Sequence, residues 1–259
     1  VTWLRTDDRE AVRWLTIDRP DRKNAIPFDG WDVLTQAFEE FQRSDQRVLV
    51  ITGAGGDFCS GADLDPSRLE RMDAVEDRHL RMKEVGGAAL ALHRLTKPAI
   101  AAVDGVAVGA GMNLALGCDV VVATERARFS EIFVKRGLTL DFGGSWLLPR
   151  VVGMQRAKEM SLSGRMVGAE EAVRVGLVAE VVPVDGLEAR TTEIAELFLA
   201  GAPVAQMFVK QTLNAAFQIG LADAVSWEGE AQSILMGTED AAEGLAAFLE
   251  KRQPRWRGT

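Results

Sequence analysis

Two glycine-rich clusters and one acid set among apolar side chains are the parts of this sequence best equipped for chemistry. The first cluster is Ile51-Thr52-Gly53 followed by Gly56-Asp57-Phe58-Cys59-Ser60-Gly61-Ala62-Asp63-Leu64. The second is Asp104-Gly105-Val106-Ala107-Val108-Gly109-Ala110-Gly111-Met112-Asn113. Each follows an apolar run and turns through small residues, a pattern that can leave backbone N–H groups unpaired and aimed into a shared cleft. The second opens into a helix, whose first turn adds donors without acceptors. Two N–H groups from neighbouring strand ends are what an oxyanion hole requires. Tight turns and close packing use the same glycines, and spacing alone does not separate the two uses. The acid is Asp141, in Leu138-Thr139-Leu140-Asp141-Phe142-Gly143-Gly144-Ser145-Trp146. Phe133, Leu140, Phe142 and Trp146 would desolvate its carboxyl and raise its pKa toward the range of a general base. An Asp ahead of Gly-Gly-Ser also suits a turn or a helix N-cap.

Other chemistries fit poorly. Gly53-Ala54-Gly55-Gly56 fails as a dinucleotide fingerprint, because the third glycine of G-x-G-x-x-G would fall at Phe58. Gly143-Gly144-Ser145 is not a nucleophile elbow, and no histidine stands near Ser145. His79 and His93 lie in a charged stretch without a ligand pattern, so no metal site is expected. Tyr is absent, and Cys59 reads as a small packing residue.

The elements around these residues alternate. Val1–Thr6 and Ala11–Asp18 alternate apolar and polar residues about Asp7-Asp8-Arg9-Glu10, which predicts a hairpin with a charged turn. Trp31, Leu34, Phe38 and Phe41 mark a helix over Phe28–Phe41. The runs at Val48–Thr52, Pro98–Val103 and Asp119–Ala123 suit strands buried on both faces, with a short helix at Met112–Leu116. Strand and helix in alternation predict a mostly parallel α/β sheet. Between the first two buried strands, residues 66–95 read as a helix dense in charge. Helices are predicted at Ala169–Val175, Gly186–Leu199, Pro203–Ile219, Leu221–Leu235 and Thr238–Glu250. The expected division is a core over residues 1–190 and a helical region over 191–259, packed on the core or on a neighbouring chain.

Composition narrows the classes. The 259 residues are 47% hydrophobic and 26% charged, enough for a sizeable core. Thirty Lys and Arg against 38 Asp and Glu give a net charge of −8, which disfavours a nucleic-acid partner. Two cysteines exclude a disulfide scaffold. No run approaches ~18 apolar residues, and the first residues lack the pattern of a signal peptide. The expectation is a cytoplasmic protein with no membrane partner.

Several of these segments together resemble the crotonase superfamily of enoyl-CoA hydratases and isomerases. Phe58–Leu64 and Gly105…Gly109-Ala110-Gly111 resemble its two signature regions. Ala127-Arg128-Phe129-Ser130 with Gly143-Gly144-Ser145-Trp146-Leu147-Leu148-Pro149-Arg150 is similar to the next region. Ala241–Arg252, with Phe248 and Lys251-Arg252, is similar to the C-terminal helix. The resemblance covers essentially the whole chain. It implies a crotonase-like ββα spiral core with a C-terminal trimerisation region, and an acyl-CoA substrate. The thioester oxygen would meet the N–H groups of Ala62 and Ala110. Ser60, Ala62 and Leu64 would line the adenine pocket, and Arg22 and Lys23 would meet the CoA phosphates or pantetheine. Phe248 and Lys251 would reach CoA from a neighbouring subunit of a homotrimer or dimer of trimers. No cofactor besides the substrate's own CoA is expected.

The chain departs from the hydratase pattern at both acid positions, where it has Asn113 and Phe133. Adding water to a C=C bond needs two acid/base groups. Glu131 stands two residues early, a shift that need not place it in the same cavity. The segment at Asp141 is similar to isomerases of the phenylacetate-degradation type, which carry Asn at the position of Asn113 and Asp at that of Asp141. The resemblance therefore implies that Asp141 shuttles a proton while a C=C bond moves, with Phe133 and Trp146 against the substrate. The alternatives are a hydratase using Asp141 or Glu131 for water, an Asp141 nucleophile of the aryl-CoA dehalogenase kind, and an acyl-CoA-binding protein without turnover.

Overall fold

The first two strands, β1 (Leu4–Arg9) and β2 (Val12–Ile17), form the expected antiparallel hairpin, but its turn is only Glu10-Ala11, with Glu10 at φ 52°. Asp7, Asp8 and Arg9 belong to β1. An edge strand open to water carries charge without cost, and here the charges pair: Arg9 with Asp7 and Glu188, Arg13 with Asp8. The computed structural model describes residues 3–64 and 74–259, so the helical reading of 66–95 is seen only from residue 74 onward.

The apolar runs become β3 (Val48–Gly53), β4 (Ala99–Val103) and β6 (Val120–Thr124). With β9 (Glu180–Val182) they form a sheet ordered β1-β2-β3-β4-β6-β9, parallel from β2 onward. Side chains alternate between its faces, as a period of two requires. Leu49, Ile51, Ala99, Ala101 and Val103 join the larger core. It also takes the apolar sides of α1 (Gly30–Arg43) and α2 (Val75–His93). Val48, Val50, Ile100, Ala102 and Val122 face the other way, onto Ile194 and Ala195 of a later helix. Burial on both faces is why these strands read as unbroken hydrophobic runs.

A second, smaller sheet joins β5 (Val106–Val108), β7 (Arg128–Ser130) and β8 (Val167–Gly168). Cys59 adds a single parallel bridge to Ala107 on its edge. The chain thus repeats one path, from a strand of the large sheet to one of the small layer and then to a helix. It runs β3, Cys59, α2; then β4, β5, α3 (Ala110–Leu116); then β6, β7 and α4 (Gly144–Val152), followed by α5 (Met154–Ser163). This is the expected ββα spiral. Its turns from large to small sheet bring the two glycine clusters side by side.

After α6 (Ala169–Arg174) comes α7 (Leu187–Leu199), whose Thr191, Ile194 and Ala195 are buried. The expected boundary after residue 190 falls inside α7, which is part of the core because it closes the second face of the sheet. Burial drops at Pro203 instead: α8 (Pro203–Ala215) and α9 (Leu221–Leu235) contain no buried residue. The last helix, α10 (Glu239–Glu250), is capped by Thr238, whose hydroxyl accepts from Ala241 N at 3.1 Å. Among the described residues no single helix is long and apolar enough to cross a membrane.

Candidate active site

The two glycine clusters meet through backbone. Cys59 N donates to Val106 O at 2.8 Å, and Val108 N donates to Cys59 O at 3.0 Å. A Cβ on Gly61 would stand 3.5 Å from Ala110 N, and one on Gly111 would stand 2.1 Å from Cys59 O. Only glycine lets these two segments lie so close. Ala62 is held by a parallel bridge to Ile26, in which Ile26 N donates to Gly61 O (2.8 Å) and Asp63 N donates to Ile26 O (2.9 Å). That pattern turns the N–H of Ala62 away from its partner strand. Ala110 is the first residue of α3 and has no acceptor one turn back. Neither the N–H of Ala62 nor that of Ala110 has a hydrogen-bond partner among the backbone bonds that hold these two turns together.

The loop before α1 is tied to the first cluster. Ser60 donates through N to Lys23 O (3.0 Å) and through Oγ to Arg22 O (3.2 Å). The side chains of Arg22 and Lys23 are exposed, and Leu64 is half-exposed. Ser60 thus fastens Arg22 and Lys23 to the segment that continues through Ala62 to Leu64. Two partners in this assembly were not singled out from sequence. Arg19 binds Asp63 at 2.9 Å and Ala25 O at 2.7 Å, anchoring the residue after Ala62. Asn24, fully buried at φ 56°, accepts from Arg19 N (2.8 Å) and donates to Ala54 O (2.8 Å) and Asp57 O. Asn24→Ala is expected to lower stability by about 2–4 kcal/mol, since buried partners lose their bonds and alanine takes a left-handed conformation poorly. A shift in the denaturant midpoint at unchanged slope is the measurement.

Asp141 does not cap α4, whose N-cap is Gly143 at φ 80°. The main-chain oxygen of Asp141 makes the turn instead, accepting from Gly144 N (2.9 Å) and from Asn113 Nδ2 (3.0 Å). Its carboxyl is left for other work: Oδ1 is buried without a hydrogen-bond partner. Burial pushes its pKa up to about 6. Phe142, at φ 48°, packs its ring 5.7 Å from Trp31, and the Phe133 ring covers Gly109 at 3.5 Å from where a Cβ would sit.

Glu131 is also here, a placement that its shift of two residues in sequence left open. It is fully buried, and Asn113 Nδ2 reaches its Oε2 at 3.4 Å. Strand β7 ends at Ser130, and at Glu131 (φ −84°, ψ 66°) the chain turns into a short 3-10 segment, which directs the side chain onto Asn113 rather than outward. Burial, with the charge of Asp141 adding to it, pushes this carboxyl up to about 8.

The sequence pattern of enoyl-CoA hydratase/isomerase matches residues 7–259. The chain belongs to the enoyl-CoA hydratase/isomerase family. A probable enoyl-CoA hydratase of Rhodobacter capsulatus is 38% identical over 98% of both chains. The 1,2-epoxyphenylacetyl-CoA isomerase of Escherichia coli is 35% identical over 96% of both. The crystal structure of an enoyl-CoA hydratase from Bacillus anthracis superposes with a TM-score of 0.93, at 31% identity, over 99% of this chain and 100% of that one. The fold is the crotonase fold, and an acyl-CoA substrate fits this family.

Within this family enzyme, three of the expected substrate residues stand apart from the cluster. Trp146 packs against other side chains of the chain. Its ring lies under the Arg150 guanidinium (3.8 Å) and against the edge of His93 (5.2 Å). There it borders a separate cavity of about 610 Å³ with Leu116, Asp119, Val209 and Lys210, at the far end of α3 from Ala110. Helical spacing puts residues 146 and 150 on one side of α4, away from the turn that holds Asp141. Phe248 and Lys251 are on α10 and at its end, with Phe248 80% exposed. His79 is exposed on α2, and burial lowers the pKa of His93. Cys59 and Cys118 are free and buried, and burial pushes the Cys59 thiol up to about 12.

Proposed function

We propose that this enzyme moves a C=C bond of an enoyl-CoA from C3 to C2, with Asp141 as the proton shuttle. The observation that carries the reading is the Asp141 carboxyl, desolvated and with Oδ1 unpartnered, on a turn whose main-chain oxygen is bound by Asn113 of Ala110's helix. In this mechanism the N–H groups of Ala62 and Ala110 hold the thioester oxygen. The Asp141 carboxylate takes a proton from C2, and the electron pair moves into the thioester to give a dienolate. The same carboxyl returns the proton at C4, and the C2=C3 bond forms. Stabilising the dienolate oxygen with two fixed donors is the largest aid such a site offers. No cofactor beyond the substrate's CoA enters these steps. The likeness to an isomerase named for 1,2-epoxyphenylacetyl-CoA favours isomerisation of an acyl-CoA, though of an epoxide and not of an enoyl ester.

Hydration is the second reading, favoured by the buried Glu131 beside Asn113 and by relatives named hydratase. A 3-enoyl-CoA and a 2-enoyl-CoA, each followed by thioester absorbance and by mass, separate the two. Conjugation without a gain of water supports the isomerase. Water uptake into the 2-enoyl-CoA overturns it, and silence toward both leaves a binding protein.

The same proposal includes a homotrimer or a pair of trimers, in which Phe248 and Lys251 reach CoA held by the neighbouring subunit, and a cytoplasmic location. Apolar side chains of the last helices are bare in the single chain: Phe217, Leu221, Leu245, Phe248 and Leu249 are each more than 60% exposed. Patches of this kind mark interfaces. Light scattering at micromolar concentration is expected to give three or six times the 28.1 kDa chain mass; a monomer would refute the assembly.

A further inference from the structure

Three buried oxygens around Asn113 have no hydrogen-bond partner in the protein: Asn113 Oδ1, Glu131 Oε1 and Asp141 Oδ1. The amide nitrogen of Asn113 is committed, to Glu131 Oε2 at 3.4 Å and to the main-chain oxygen of Asp141 at 3.0 Å. Asn113 therefore ties Glu131 to the turn that carries Asp141. The tie has little room to rearrange, because a Cβ on Gly144 would stand 2.4 Å from the same nitrogen. An ionised carboxylate offers no donor, so it leaves Asn113 Oδ1 and its own Oε1 both unsatisfied. A protonated one carries a donor of its own into this cluster of buried acceptors, and buried acceptors left unpaired are costly.

We propose that Glu131 works as a neutral carboxylic acid, a positioning residue that clamps Asn113 and through it the Asp141 turn. In the hydratase pattern the acids stand at residues 113 and 133; here the carboxyl has moved to 131 and acts behind the reacting groups. The surroundings keep it neutral. Asp141 is the titratable group that acts on it across the cavity, and its negative charge disfavours a second one. Lys135 and Arg136 on the following turn are exposed, as are Arg156, Lys158 and Glu159 on α5, which packs there. Arg165, beyond Gly164, is engaged with Glu159 and Glu171, and Arg150 of α4 lies over Trp146. The helix α3 carries no charged residue.

The catalytic part of the test rests on the isomerase reading, so a measurement free of turnover accompanies it. For the wild type, kcat/KM on a 3-enoyl-CoA should rise with pH through about 6 as Asp141 ionises and fall above about 8 as Glu131 ionises. Glu131→Gln, shaped like the neutral acid, should hold the rate at neutral pH within about threefold and lose the fall above pH 8. Glu131→Ala should be slower at every pH. Without substrate, the thermal midpoints report the proton directly. The folded chain keeps a proton that the unfolded chain loses above its ordinary carboxyl pKa, so wild-type stability drops with pH until the folded group ionises. The gap between Glu131→Gln and wild type should open from about pH 5 to about pH 8 and stay level above it.

A constant gap, or a high-pH fall that survives in Glu131→Gln, overturns the clamp. So does a loss of about 100-fold or more in Glu131→Gln at neutral pH, which would make Glu131 a direct proton carrier. If Glu131→Gln does not fold, the decline of wild-type stability between about pH 6 and about pH 8, above the range in which Asp141 ionises, decides alone. A gap that opens as described while no enoyl-CoA is isomerised sinks the isomerase reading and leaves the clamp standing.

Discussion

Asp141→Asn is expected to lower isomerisation by roughly 10²–10⁴-fold, the usual loss when a general base is removed, while the affinity for an acyl-CoA changes by less than about threefold. The substitution is clean because the turn is held by the main-chain oxygen of Asp141, which Gly144 N and Asn113 Nδ2 continue to bind whatever the side chain is. An amide of the same size fills the same space and cannot take the C2 proton. In the proposed mechanism the donors at Ala62 and Ala110 are untouched, so the thioester would stay polarised. The surface formed by Arg22, Lys23, Ser60 and Leu64 is built on other loops. Single-turnover rates and direct titration with a saturated acyl-CoA measure the two quantities separately. A folded Asp141→Asn protein that no longer binds the ester would move Asp141 into the binding surface. One that keeps its rate, with Glu131→Gln inactive, would identify Glu131 as the base. Asn113→Ala should fall between them, because it frees the Asp141 turn and Glu131 together without removing either acid.

The elements buried on both sides were the most legible. A strand between two layers must be apolar at every position, so Val48–Ile51 and Ala99–Val103 announce themselves without context. Positions decided by a distant neighbour did not. Nothing near Trp146 in sequence says that its side of α4, shared with Arg150, faces His93. Glu131 is two residues from the expected place, and only the bend after β7 and the packing of Asn113 against Gly144 show where it goes. Asn24 looked like one more polar residue in a loop. Its signal is faint but physical: asparagine tolerates a positive φ and can replace three backbone partners at once. Asp141 itself was legible as an acid among aromatic residues, although one of those, Trp146, faces elsewhere. The carboxyl owes its raised pKa to burial.

Gly111→Ala should be among the most damaging single methyl groups in the chain. A Cβ at this position would stand 2.1 Å from Cys59 O, 2.7 Å from Cys59 C and 2.9 Å from Cys59 Cβ. Two of these atoms are backbone, so no side chain can swing aside to make room. Alanine suits a helix better than glycine does, by about 1 kcal/mol, yet here the first turn of α3 must part from the Cys59 segment. The cost lies at or above the ~3 kcal/mol upper end for overpacked cores. The damage reaches the chemistry by a short path. Cys59 is bridged to Ala107, and three residues after it comes Ala62, so moving Cys59 away from α3 moves one N–H donor away from the other. Losing one donor of an oxyanion hole typically costs about 10²–10³ in rate, and that loss should persist in whatever fraction of Gly111→Ala remains folded. Gly86→Ala is the matched comparison: its Cβ meets nothing within 4 Å on α2. There the helix preference of alanine stands unopposed, and the variant should be as stable as the wild type or more so, with its rate unchanged. Equal stability and equal rate in the two variants would mean that the glycine clusters serve only as turns, and that the close approach of Cys59 to α3 does not set the distance between Ala62 and Ala110.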